Sequence, residues 1–162
     1  MGYNIGDTVE FVSIDPYRII VSGRIKHFIS AFGEHVIGKE VEAAMIKACV
    51  ETSSEVVEFT VAPQVEGGGD GLPYHEWFVE FSKEPDDFEL FAKIIDDEMQ
   101  SQNVYYQDLI QGNILRSIVL SKLKRDAFVE YMKSVGKLGG QNKVPRLSND
   151  RKIADELSNF KV

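Results

Sequence analysis

Two runs of residues, 55–63 (EVVEFTVAP) and 74–82 (YHEWFVEFS), constrain this chain most. Each alternates large apolar side chains with polar ones, the period-2 pattern of a strand with one face turned inward. Val57, Phe59 and Val61 share a face of the first, and His75, Trp77, Val79 and Phe81 share a face of the second. The stretch between them, VEGGGDGLP, is rich in glycine and reads as a flexible connection. Two such strands in succession make a hairpin. A hairpin with an apolar face needs helices to cover it.

Helical spacing flanks the hairpin on both sides. Val41, Ala44, Met45 and Ala48 predict a helix from about Gly38 to Thr52. Phe88, Phe91, Ala92, Ile95 and Met99 predict a second, running to about Gln102, with Pro85 in its first turn. Residues 114–120 (ILRSIVL) are strand-like. Asp126 precedes a helix with Phe128, Tyr131, Met132 and Val135 on one face, closed by Gly136. Ser148 is placed to cap a last helix carrying Ile153, Leu157 and Phe160. Ahead of all these, residues 9–14 (VEFVSI) and 18–22 (RIIVS) read as strands turning at Asp15-Pro16, with strand continuing through 24–31. The order after the first hairpin is β-α-β-β-α-β-α. The expected fold class is therefore α+β: an N-terminal β-hairpin followed by a split βαβ (ferredoxin-like) antiparallel sheet with helices packed on one face.

Composition narrows the function. A chain of 162 residues that is 43% apolar, with ten Phe, has a real core to build. No apolar run reaches membrane-spanning length and no signal peptide opens the chain, so a cytoplasmic protein with no membrane partner is expected. Cys49 is the only cysteine, which excludes an internal disulfide, and its helical apolar setting reads as a buried thiol rather than a nucleophile. A net charge of -8 argues against a nucleic acid polymer as partner. The charge is uneven, however: residues 122–152 hold nine Lys and Arg against three Asp and Glu. A basic patch in an acidic chain suits a small anion such as a nucleotide phosphate. The alternative is a set of lysines that merely solvate helix faces.

Several motifs lead nowhere. The glycine run 67–71 lacks the Gly-Lys-Ser/Thr ending of a phosphate loop and opens onto a strand. His27, His35 and His75 have no metal-ligand spacing, so no metal site is expected. His75 reads as a polar or half-buried strand residue. Asp86 and Asp87 look like partners of a helix N-terminus, and Asp96 and Asp97 like a solvated face. Three stretches remain: YNIGD at 3–7, Gly23-Arg24-Ile25-Lys26, and GGQNKVPR at 139–146. In the last, two glycines free the backbone and Pro145 stiffens it just after Lys143.

In that order the three stretches resemble the adenylate-forming enzymes, and most closely the Gretchen Hagen acyl-acid amido synthetases of the auxin-responsive promoter family. YNIGD resembles the superfamily's Tyr-x-x-Gly-Asp stretch. GRIKHFISAFGEHVIGKEVE resembles its Gly-Arg-x-Asp/Lys hinge with the strand, turn and helix that follow. GGQNKVPR is similar to the family's Gln-x-Lys-x-Pro-Arg segment, and LPYHEWFVEF to a strand of bacterial members. The resemblance covers essentially the whole chain.

It implies the C-terminal domain of such an enzyme. Residues 1–23 would be a β-hairpin leading to the hinge, and 24–162 a mobile C-terminal α+β domain. A large N-terminal acyl- and ATP-binding domain would lie outside this chain. Asp7 would accept hydrogen bonds from the ribose hydroxyls of ATP, with Arg24 near the ribose or phosphate. Lys26 would be the hinge. Lys143 would bind the nucleotide and act catalytically, placing its ammonium on the α-phosphate. The implied cofactor is ATP with Mg2+, held mainly by the N-terminal domain. The implied partners are that domain, a small carboxylic acid and an amino acid. The full-length ligase would adenylate the acid and conjugate it to the amino acid, the small domain rotating between half-reactions; the isolated domain would be inactive. An acyl-CoA ligase fragment and a stand-alone, non-catalytic ligand-binding module are the alternatives.

Overall fold

A computed structural model describes residues 7–24, 28–66, 71–137, 139 and 143–162. Lys26, His27, residues 3–6 of the YNIGD stretch and most of the glycine run therefore lie outside the described residues.

The chain adopts the expected α+β class. Strands β1 (Asp7–Ile14) and β2 (Tyr17–Arg24) form an antiparallel hairpin that turns at Asp15 and Pro16. Two short strands, β3 (Phe28–Ile29) and β4 (Val36–Ile37), pair as a ribbon and lead into helix α1 (Gly38–Thr52). Strands β5 (Glu55–Gln64) and β6 (Tyr74–Lys83) are the antiparallel pair read from the alternating runs. Helices α2 (Phe88–Gln102) and α3 (Val104–Gln111) then carry the chain to β7 (Val119–Leu123). Helix α4 (Ala127–Ser134), helix α5 (Lys152–Leu157) and a short 3-10 turn (Ser158–Phe160) complete it.

Two features of the sheet differ from the sequence reading. The order is β5-β6-β7, and β7 runs parallel to β6, so the sheet is mixed rather than wholly antiparallel. Helices also cover both of its faces. Ile95, Trp77, Val79 and Ala44 belong to the core under α1 and α2, whereas Phe78, Phe128, Leu157 and Leu123 form a second core with α4 and α5. The reason lies in β6, where Glu76 and Glu80 occupy positions that alternation assigns to solvent. Both are buried. Glu80 accepts the backbone N–H groups of Asp126 (2.8 Å) and Phe128 (3.2 Å), which holds the start of α4 against the strand. A carboxylate at a helix N-terminus satisfies donors that the helix itself leaves open.

Helix boundaries follow local chemistry. The Glu40 carboxylate accepts the Ile37 N–H at 2.9 Å where α1 begins. Asp87 caps α2 by accepting the Leu90 N–H at 2.9 Å, so Pro85 precedes the helix instead of lying in its first turn. Asn103 ends α2 and immediately caps α3, accepting the Tyr106 N–H at 3.0 Å. The sequence reading contained no α3, and its strand at 114–120 proves to be β7, which starts later. Ser148 caps no helix: its N–H binds the Val61 carbonyl at 3.0 Å, and α5 begins at Lys152.

Both edges of the sheet are covered. Along β5, Val61 N–H binds the Arg146 carbonyl at 2.9 Å, and Leu147 forms a parallel bridge to Val61. Along β7, Lys124 N–H binds the Phe160 carbonyl at 2.9 Å and Val162 N–H binds the Lys122 carbonyl at 3.2 Å. Among the described residues, no helix is long and apolar enough to cross a membrane.

Candidate functional site

The first hairpin brings two of the expected site residues together. Asp7 and Arg24 are cross-strand partners at its open end, away from the Asp15 turn. Its body is unusually apolar for an exposed ribbon: Ile14 and Tyr17 are 75% and 79% exposed, and Phe11, Ile19 and Val21 are exposed as well. Lys39 of α1 reaches Glu10 of β1 at 3.6 Å.

Lys143 stands on a separate element. It is exposed, and the chain becomes anchored directly after it. Val144 is buried in the second core. The Pro145 carbonyl accepts the Thr60 hydroxyl at 2.7 Å. Arg146 lies 4.5 Å over the Phe59 ring and donates to the Phe59 carbonyl at 3.2 Å. Its guanidinium also pairs with Glu58 and, at 3.5 Å, with Glu42 of α1. The predicted stiffening after Lys143 thus comes less from the proline ring than from Arg146, whose stacked, forked guanidinium fixes residues 144–148 to the edge of β5.

The basic stretch 122–152 is largely neutralised in the fold. Lys122 pairs with Glu84 (2.9 Å), Lys124 with Glu130 (2.9 Å), and Arg151 with Glu76 (2.8 Å) and Asp155 (3.1 Å). Glu84 and Glu76 come from distant parts of the chain, whereas Glu130 and Asp155 are close in sequence to the cations they meet.

Two acidic or basic side chains sit elsewhere than the sequence reading put them. Asp96 is buried, not solvated: it accepts the Tyr106 hydroxyl (2.7 Å), the Ile118 N–H (3.1 Å) and Gln100 (2.8 Å). His75 is fully buried and bonds Glu34 at 2.8 Å. The alternation of β6 carried a signal for this, since it put an imidazole on the same face as Trp77 and Val79. Its partner, in a loop far away in sequence, carried none. Cys49 is half-buried against the first core, and burial pushes its thiol above the ordinary range, which keeps the nucleophilic thiolate scarce.

Residues 39–152 match the GH3 family C-terminal domain. The chain belongs to the GH3 family. The match takes in Lys143, whereas Asp7, Arg24 and Lys26 lie ahead of it. Solved structures extend the likeness in fold to the hairpin. A GH3.15 acyl acid amido synthetase superposes with a TM-score of 0.76 at 14% identity, covering 98% of this chain and 30% of that one. AtGH3.15 acyl acid amido synthetase in complex with 2,4-DB gives a TM-score of 0.72 at 14% identity over the same shares. The GH3 chain described here thus spans about a third of the length of these structures. Comparison with curated proteins returns no significant match.

Proposed function

We propose that this GH3 domain works as the smaller, C-terminal part of an ATP-dependent acyl acid amido synthetase. The observation that carries the reading is the superposition of 98% of the chain on 30% of an acyl acid amido synthetase, joined to the family match. In this reading residues 1–23 lead to a hinge at Lys26, and 24–162 move against a larger N-terminal domain. The exposed apolar hairpin supports such a neighbour, because a ribbon of this composition gains by being covered.

In this reading the carboxylate of Asp7 accepts both ribose hydroxyls, and Arg24, paired with it through the backbone of the hairpin, supplies a fork for a phosphate or ribose oxygen. Lys143, held at the start of an anchored segment, supplies a point charge for the α-phosphate while the substrate carboxylate attacks it. ATP brings the activated phosphate with its Mg2+. The carboxylate displaces pyrophosphate to give an acyl-adenylate, and an amino acid's amine then displaces AMP to give the amide. Placing fixed charge where negative charge builds is usually the largest single catalytic contribution.

The test uses the native gene product, with its intact mass determined. The expected result is acid-dependent exchange of pyrophosphate into ATP, and an amide on addition of amino acids. A product that forms a thioester with coenzyme A in place of an amide, or one that supports no exchange with any carboxylic acid, overturns the reading.

A further inference from the structure

Glu34 and His75 form a buried pair in the core of the fold. Glu34 lies in the loop between β3 and β4, and His75 on β6; their side chains are 0% and 1% exposed. Glu34 Oε1 accepts from His75 Nε2 at 2.8 Å, and Oε2 accepts from the Phe32 N–H at 2.8 Å. An ionised carboxylate can only accept, so the hydrogen of this bond belongs to His75 Nε2. The Glu34 carbonyl in turn accepts from Asn103 Nδ2 at 2.9 Å, at the junction of α2 and α3. The His75 ring stacks on Tyr106 of α3 with centroids 5.3 Å apart, and the Tyr106 hydroxyl donates to Asp96 of α2. One glutamate thereby ties its loop to the central strand and to two helices.

The loop backbone is bent to make this possible. Gly33 and His35, on either side of Glu34, have φ of +94° and +48°. Left-handed backbone at a non-glycine residue is costly and persists only where its surroundings hold it. The rest of the loop is held too. Ile29 and Val36 are fully buried, and Ser30 N–H binds Asn149 Oδ1 at 3.1 Å, on the approach to α5.

A ribbon as short as β3–β4 can be closed by an ordinary polar turn. Sinking a carboxylate and an imidazole beneath it gains little stability, because desolvation offsets the attraction; the best-attested use of such a pair is to fix one arrangement. We propose that Glu34 and His75 are positioning residues that clamp the segment 28–37 to the sheet. That segment then travels with the sheet as one body, and any rotation of the domain starts upstream of Phe28. That the domain rotates rests on the ligase reading; the clamp itself does not.

Hydrogen exchange of the protein without ATP or acid, read by mass spectrometry, tests it. Wild-type amides of 29–36 should exchange as slowly as those of α2. In His75→Leu they should exchange about tenfold faster while α2 and β7 keep their wild-type rates, since a local opening has been made easier. His75→Gln, which retains a side-chain N–H donor, should restore slow exchange. Should His75→Leu fail to fold, Glu34→Gln carries the test: it must quicken 29–36 selectively. Unchanged exchange in 29–36, or equal acceleration of every segment, overturns the clamp. With no substrate present, failure of the ligase reading leaves this result intact, and a failed clamp leaves pyrophosphate exchange intact.

Discussion

Arg151 Nη2 lies 2.8 Å from Glu76 Oε2, and that bond ties the last helix to the middle strand of the sheet. Glu76 is buried and also accepts from Lys161 Nζ at 2.6 Å and Ser121 Oγ at 2.5 Å. Removing this carboxylate leaves two cations around an empty site. Because both cations are partly exposed, Glu76→Ala should cost about 3 kcal/mol, the low end for breaking a buried pair. Urea unfolding measures it, and a loss under about 0.5 kcal/mol, the level of an ordinary surface change, would refute the assignment.

Acid should expose the same groups. Burial pushes the Glu76 carboxyl up, but hydrogen bonds from Lys161, Ser121 and Arg151 outweigh it and hold the carboxyl below the ordinary range. For Glu34, too, burial is overcome, by the bond from His75 and by backbone N–H groups. The unfolded chain therefore takes up protons at these sites at a higher pH than the folded one. Their stabilisation is complete above the ordinary glutamate value of about 4.3 and is lost as pH falls below it through the folded values. Unfolding free energy measured against pH should be less steep in this acid window in Glu76→Gln than in wild type.

Tyr106 offers the opposite test. Burial, the Asp96 charge and the hydrogen bond to Asp96 raise its phenol well above the ordinary tyrosine range. Its contribution is intact below an ordinary tyrosine value of about 10 and is lost as pH rises through the higher folded one. Phenolate absorbance should show Tyr106 ionising only with alkaline unfolding, a late step absent from Tyr106→Phe. The same variant leaves a buried carboxylate one donor short and should cost about 2 kcal/mol.

Arg146 is the residue for which a conservative change should fail. Lysine keeps the charge but neither the planar stack on Phe59 nor the fork that reaches Glu58, Glu42 and a carbonyl together. Since the group is partly exposed, Arg146→Lys should lower stability by only about 1 kcal/mol. Its larger effect should be faster hydrogen exchange at residues 144–148. Unchanged exchange there would assign the anchoring to the backbone bonds alone.

The proposed site makes separable predictions in the native gene product. Lys143→Ala should reduce acid-dependent pyrophosphate exchange by about 10²–10³, the usual consequence of losing one charge-stabilising donor. Lys26→Pro should spare that exchange and block amide formation, because proline fixes the backbone torsion that the proposed swing needs. Normal exchange in the first variant would remove Lys143 from the mechanism, and normal amide turnover in the second would remove the hinge.

Much of the fold was legible because the signals were local. The alternating runs gave β5 and β6, and the apolar stripe of Phe88, Phe91, Ile95 and Met99 gave α2 with its observed end at Gln102, although its start falls after Pro85. What escaped depended on tertiary partners. Helix α3 (VYYQDLIQ) is rich in branched and aromatic residues of modest helix propensity, and it forms where Asn103 caps it and Tyr106 can be buried. Val57 reads as a core residue, yet it is exposed, because a register shift between Val56 and Glu58 turns it outward. Glu76, Glu80 and Asp96 look like solvent-facing acids until donors from elsewhere in the chain bury them. Of the candidate site, the hairpin was read from the sequence, but its strands extend beyond the 9–14 and 18–22 expected, and that extension pairs Asp7 with Arg24. The seat of Lys143 did not, because it depends on Arg146 finding β5.

The covered margins of the sheet have a consequence for how copies of this protein behave toward one another. A bare outer strand is a template on which a neighbouring chain can add a strand of its own, the first step toward aggregation. Here residues 144–148 occupy that template beside β5 and residues 160–162 occupy it beside β7. Shortening the chain before Phe160 would therefore do more than weaken one domain. It would open β7 to foreign strands and leave the protein prone to add copies of itself along that edge.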